Sequence, residues 1–152
     1  KFNLKYNILR YGSVYSHRKF ENNYIYSLIK ETLRTKKIIH KGDGEEIREY
    51  IHAIDAAKLT VDILKDKSYE NSHILLTGND RIRRIELFEM INEMLGGKIE
   101  IVCDNSGYKN HYSYTPYSFT PSLSKKLFAN PHIDMGQGLL ECIKSIESKI
   151  DE

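Results

Sequence analysis

The chain has 152 residues, 40% hydrophobic and 29% charged, with a formal net charge of +2. That composition fits one globular domain or sub-domain. The small charge and the lack of a dense basic stripe argue against a nucleic-acid partner, and no apolar run approaches the ~18 residues needed to span a bilayer. Cys103 and Cys142 are the two cysteines, which points to free thiols rather than a disulfide framework. No Cys/His spacing reads as a metal site, and residues 1–9 hold no signal-peptide core. The expected location is therefore cytoplasmic.

Residue 1 is Lys, and the chain opens almost directly into a strand pattern, which reads as a piece of something longer. Residues 6–11 (Tyr6-Asn7-Ile8-Leu9-Arg10-Tyr11) form a short apolar run before Gly12-Ser13, a buried strand followed by a loop to Glu21. A helix is expected from about Asn22 to Lys36, with Ile25, Leu28, Ile29 and Leu33 on one face and Asn22 or Asn23 as its cap. Residues 38–40 read as a strand, and Gly42 and Gly44 flank Asp43 in a turn suited to positive φ. Residues 48–52 alternate as a further strand. Asp55 is placed to cap a helix from Ala56 to about Lys65 that buries Ala57, Val61 and Leu64.

Residues 73–77 read as a strand closed by Gly78-Asn79-Asp80. A helix from about Ile85 to Leu95 follows, with Gly96 as its stop, and then a strand at 98–102. The stretch from Asp104 to Pro121 is polar and rich in Tyr. A short helix is expected at 122–128, and a last one from Gln137 to near Ile150 through Leu139, Ile143, Ile146 and Ile150. The basic runs at Lys36-Lys37, Arg81 to Arg84 and Lys125-Lys126 lie near element ends and read as solvated. Strands alternating with helices make the class α/β.

Several stretches carry a resemblance to a known family. Ile8 to Tyr15 is similar to the R-x-x-x-x-Y-G-P stretch of extended short-chain dehydrogenases/reductases, with Ser16 and His17 in place of Gly-Pro. Asn22-Asn23-Tyr24-Ile25 resembles the N-N-x-[IM] at the next helix. The most specific match is the ungapped run from Gly42 to Ala57, which looks like G-D-G-x-x-x-R-D-[YF]-[IV]-H-V-x-D-x-A, with Glu49 for the usual Asp. Residues 75–87 and the Ser124-Lys125-Lys126-Leu127 and Gly136 to Leu139 segments follow in the family's order. The chain thus resembles the NAD-dependent sugar-nucleotide epimerase/dehydratase branch.

The resemblance implies the C-terminal, substrate-binding part of an extended Rossmann-type fold, residues 1–152 with the last strands of the sheet, and with the first dinucleotide-binding half absent. It implies that Arg48 contacts a nucleotide-sugar diphosphate, where the competing reading is a salt bridge. It places Asn23, or Asn22, on the same ligand, with a plain helix cap as the alternative. Ser13 joins the substrate side, while Gly12, Ser13, Val14 and Tyr15 face the nicotinamide of NAD or NADP.

His52 is expected to bridge the strand-to-helix junction. Two family motifs are missing: the glycine-rich G-x-x-G-x-x-G and the Tyr-x-x-x-Lys. Tyr26 and Lys30 have that spacing in the wrong place. No catalytic residue is assigned, and the chain alone is expected to be inactive while its parent is an enzyme and a possible homodimer. A second Arg common in the family is absent from 111–120, where Tyr112, Tyr114 and Tyr117 stand. That gap keeps open a reductase of another substrate, and the Lys1 start with the absent catalytic Tyr is compatible with a truncated, non-catalytic binding or scaffold protein.

Overall fold

The computed structural model describes residues 4–20, 23–106 and 124–150. In chain order these form β1 (Asn7–Tyr11), β2 (Ser13–Tyr15), α1 (Tyr24–Thr35), β3 (Lys37–Lys41), β4 (Ile47–Arg48), β5 (Tyr50–His52), α2 (Ala53–Lys65), β6 (Ser72–Leu76), β7 (Ile82–Arg83), α3 (Arg84–Met94), β8 (Glu100–Asp104), β9 (Lys125–Leu127) and α4 (Met135–Ile150). A single 3-10 turn at Lys67–Tyr69 follows α2.

A three-stranded parallel sheet runs in the order β1-β6-β9. Its central strand buries Ile74, Leu75 and Leu76 together, as expected of a parallel strand covered on both faces. β1 is paired along one side only among the described residues, and its Ile8 and Tyr11 stay about two-fifths exposed (40% and 38%). The chain changes sheets at Gly12: Gly12 N donates to Leu76 O at 2.8 Å, then Ser13 N donates to Glu49 O at 3.1 Å, starting the parallel β2–β5 pair. β3 pairs with β8 in parallel, and β4 with β7 antiparallel.

Two apolar clusters hold these pieces together. The larger joins α1, α3 and α4 through Ile25, Ile29, Leu87, Phe88, Ile91 and Leu139, all at most 1% exposed. The smaller lies between β6 and α2 through Ile51, Ala56, Ile63, Ile74 and Leu76. Each such aliphatic side chain contributes about 1.5–3 kcal/mol by leaving water. Gly138 lets α4 press on Tyr15, because a Cβ at that position would overlap the Tyr15 hydroxyl. Gly44, at φ +80, provides the turn before β4. Among the described residues, no helix is long and apolar enough to cross a membrane.

The structure departs from the sequence reading in four places. The expected loop after Gly12 contains a strand, β2, because β5 offers it a parallel ladder. Lys125–Leu127, expected within a helix, is extended against β6; residues 122 and 123 lie outside the described residues. α2 begins three residues early: His52 caps it, with Nδ1 accepting from Ile54 N at 3.4 Å, while Asp55 sits in the first turn and accepts from Ile133 N at 2.8 Å.

The buried face of α2 is Ala56, Ile63 and the partly covered Leu59. Val61 and Leu64, expected inside, are 46% and 69% exposed, and Ala57 is exposed as well. The helix carries two apolar stripes, and β6 and the β2–β5 pair select the first.

Candidate functional site

The change of sheet at Gly12 opens a cleft at the carboxyl end of β1 and β6, the position where open α/β sheets hold ligands. Gly12, Ser13 and Val14 form one wall. Phe20, Tyr24 and Ile25 form the second, and Tyr50 and Arg84 close it, around a cavity of about 310 Å³. That size is near the lower limit for small-molecule pockets.

Each wall has a local cause. Asn23 caps α1: its Oδ1 accepts from Tyr26 N at 3.2 Å, and its Nδ2 donates to Ser16 O at 2.7 Å and Arg18 O at 2.9 Å. The cap sets Tyr24 and Ile25 at the mouth of the cleft. Arg84 is the first residue of α3, whose start is pinned by Arg84 N to Glu46 O at 3.0 Å and Ile85 N to Gly44 O at 2.9 Å. With its backbone fixed, the guanidinium lies 4.0 Å above the Tyr24 ring, and Nη1 donates to the Tyr50 hydroxyl at 2.8 Å.

Arg84 Nε is buried with no hydrogen-bond partner among the described residues. Burial holds the Tyr50 phenol at about 12, against the opposing pull of Arg84. Tyr50 is therefore a neutral phenol that accepts from Arg84 and keeps its own proton to donate. The cleft combines a half-buried cation with hydroxyl-bearing and aromatic residues, a set that suits an anionic group joined to a planar or ring-shaped one.

Of the residues singled out from sequence, Gly12, Ser13 and Val14 line this cleft. Tyr15 does not: its side chain is buried edge-on to Tyr50 and His52, at 6.2 and 5.2 Å between ring centroids. Burial raises its phenol above the ordinary range. Asn23 is 1% exposed and spends both amide hydrogens on backbone carbonyls.

Arg48 is half-buried on β4, opposite Ile82. Its Nη1 donates to Ile47 O at 2.8 Å, and its charge reaches Tyr50 without its side chain lining the cavity. Asn22, Tyr112, Tyr114 and Tyr117 lie outside the described residues. Arg84 is the residue the sequence reading passed over. A signal was available: a cation at a helix N-terminus opposes the helix dipole, so an Arg there needs another reason.

The family model described as "NAD dependent epimerase/dehydratase family" matches residues 1–77, half of the chain. The chain belongs to this family. The matched stretch contains Gly12 to Val14, Tyr24 and Tyr50, while Arg84 falls beyond it.

Among curated relatives of this epimerase/dehydratase chain, a "Putative UDP-glucose 4-epimerase" of Methanocaldococcus jannaschii is 28% identical over 142 residues, 91% of this chain and 44% of that protein. Among solved structures, the UDP-glucuronic acid 4-epimerase of Bacillus cereus in complex with UDP-glucuronic acid and NAD superposes with a TM-score of 0.70 at 21% identity, over 93% of this chain and 45% of that one. The dTDP-glucose 4,6-dehydratase of Bacillus anthracis in complex with NAD gives 0.66 at 20%, over 95% and 45%. These likenesses establish the extended short-chain dehydrogenase fold. The chain spans less than half the length of the relatives it matches.

Proposed function

We infer that residues 1–152 form the substrate-binding half of a NAD(P)-dependent nucleotide-sugar epimerase or dehydratase, holding the diphosphate-sugar beside the nicotinamide. One observation carries the reading: the cleft at the strand ends sets Ser13, Tyr50 and the half-buried Arg84 around a single cavity. A diphosphate takes two charge-assisted hydrogen bonds from such a fork, and a sugar takes the hydroxyl donors.

Arg48, near enough to act on Tyr50, adds long-range positive charge and is the family's counterpart at that position. Arg84 supplies the second cation that residues 111–120 lack. The half-open edge of β1 supports placing the rest of the sheet, and with it the dinucleotide loop and the catalytic Tyr and Lys, in the remainder of a longer parent. The Gly12–Val14 wall would be this chain's own contact with the nicotinamide of NAD or NADP, whose chemistry is reversible hydride transfer. Alone, the chain binds and does not turn over.

Titration of the 15N-labelled chain with UDP-glucose, UDP and glucose 1-phosphate tests this. The expected result is shifts at Gly12 to Val14, Tyr24, Tyr50 and Arg84, with UDP-glucose acting at lower concentration than glucose 1-phosphate. If millimolar UDP-glucose leaves all of these amides unmoved, the reading fails.

A further inference from the structure

Away from the cleft, three side chains distant in sequence converge: His17 in the loop after β2, His52 at the β5–α2 junction and Glu141 on α4. Their ligand atoms lie within 4.8 Å of one another. His52 is the fixed member. Its side chain is 0% exposed, its ring is held edge-on by Tyr15 at 5.2 Å, and its Nε2 lies 3.9 Å from Glu141 Oε2 with no hydrogen-bond partner among the described residues.

The other two members are steered toward it. Gln137 Nε2 donates to Glu141 Oε1 at 3.4 Å, leaving Oε2 turned to His52. Ser145 Oγ, one turn further along α4, donates to His17 O at 3.4 Å and ties the loop to the helix.

We propose that His17, His52 and Glu141 bind a divalent ion of the zinc class. Two imidazoles and one carboxylate are a ligand set that zinc uses with an open fourth position, and nitrogen ligands favour such ions over magnesium or calcium. Around a tetrahedral ion with bonds of about 2.0–2.2 Å, ligand atoms stand roughly 3.3 Å apart. The present spacing therefore has to shrink by no more than about 1.5 Å. His17 and Glu141 are partly exposed and can move by changing rotamer, while His52 stays in place.

One hydrogen bond is exchanged. In the empty site Ile54 N–H reaches Nδ1, so the ring proton sits on Nε2, 3.9 Å from Glu141 Oε2 and beyond hydrogen-bond distance of it. When the ion takes Nε2, a proton occupies Nδ1 and the long 3.4 Å cap is given up. The ion would staple the loop after β2, the start of α2 and α4 together. No Cys/His spacing signals this cluster, because the three ligands come from segments that only the fold brings together.

The test uses Zn²⁺ and Co²⁺ with the 152-residue chain, and needs no activity. The expected result is one Co²⁺ per chain with visible ligand-field bands, a rise in the thermal midpoint with Zn²⁺, and a shift of the Ile54 amide. H17A and E141Q each change a partly exposed side chain. Each should keep the metal-free thermal midpoint and weaken Co²⁺ binding by more than about tenfold. No saturable binding at millimolar metal overturns the proposal, and so does binding that survives either substitution.

Discussion

Lys126 meets Glu49 across 77 residues of sequence: its Nζ lies 2.7 Å from Oε2 and 2.9 Å from Oε1, with the two side chains 10% and 3% exposed. The pair ties β9 to the segment between β4 and β5, and Arg81, more than half exposed, adds a second contact to the same carboxylate at 3.3 Å. Breaking a buried pair from one side strands a charge. K126M should therefore lower unfolding free energy by about 3 kcal/mol, measured by denaturant titration. The double variant E49L/K126M should recover most of that. A K126M midpoint equal to the parent's would mean the pair is solvated.

Arg84 is predicted to dominate anion binding in the cleft. R84Q should weaken UDP binding about tenfold to a hundredfold, from the ~1.5–3 kcal/mol of hydrogen bonds to a charged group. R84K should fall between, keeping the charge and losing the fork. Calorimetry with UDP decides this. Unchanged affinity in R84Q would move the anion site to Arg48.

The two stripes of α2 predict opposite sensitivities. I63A removes a side chain only 2% exposed and should cost about 2–5 kcal/mol. L64Q, on the exposed stripe, should stay within about 0.5 kcal/mol. Equal losses in thermal or denaturant unfolding would show that the helix is turned the other way.

The start of α3 should be sensitive to acid. Glu86 accepts from the Arg83 backbone N–H at 2.8 Å, and that bond first, then the Arg83 side chain, holds its carboxyl below the ordinary 4.5. A lowered folded value means the contribution is complete above 4.5 and is lost as pH falls through the lowered value. It is small, below about 1 kcal/mol, because the pair is exposed. Protection factors at Arg83 to Leu87, taken against intrinsic exchange at each pH, should fall on acidification before those at the far end of α3, and E86Q should abolish the step.

Much of this was legible in the sequence. The α1 face and the buried β6 run have clean periodicity, and the Gly42 to Ala57 run carried the family. β2 was not legible, because three residues after a glycine show no pattern until β5 is beside them. Lys125-Lys126-Leu127 has no strand composition, and β6 extends it. For α2, Ala56/Leu59/Ile63 and Ala57/Val61/Leu64 are equally good stripes, so periodicity cannot rank them. Within the cleft, the Gly12 to Val14 wall followed from the motif. Tyr15 and Asn23 turned inward for packing and capping. Arg84 was hidden in a basic run whose other members are solvent-facing.

The β2–β5 ribbon is three residue pairs long. Ser13 opposite Tyr50 opens one end onto the cleft. Tyr15 opposite His52 ends the other beside the three converging side chains. The same ribbon borders both places. Thermodynamic reciprocity then applies: by whatever factor a filled cleft changes the grip on a cation, the cation changes the grip on the cleft's occupant.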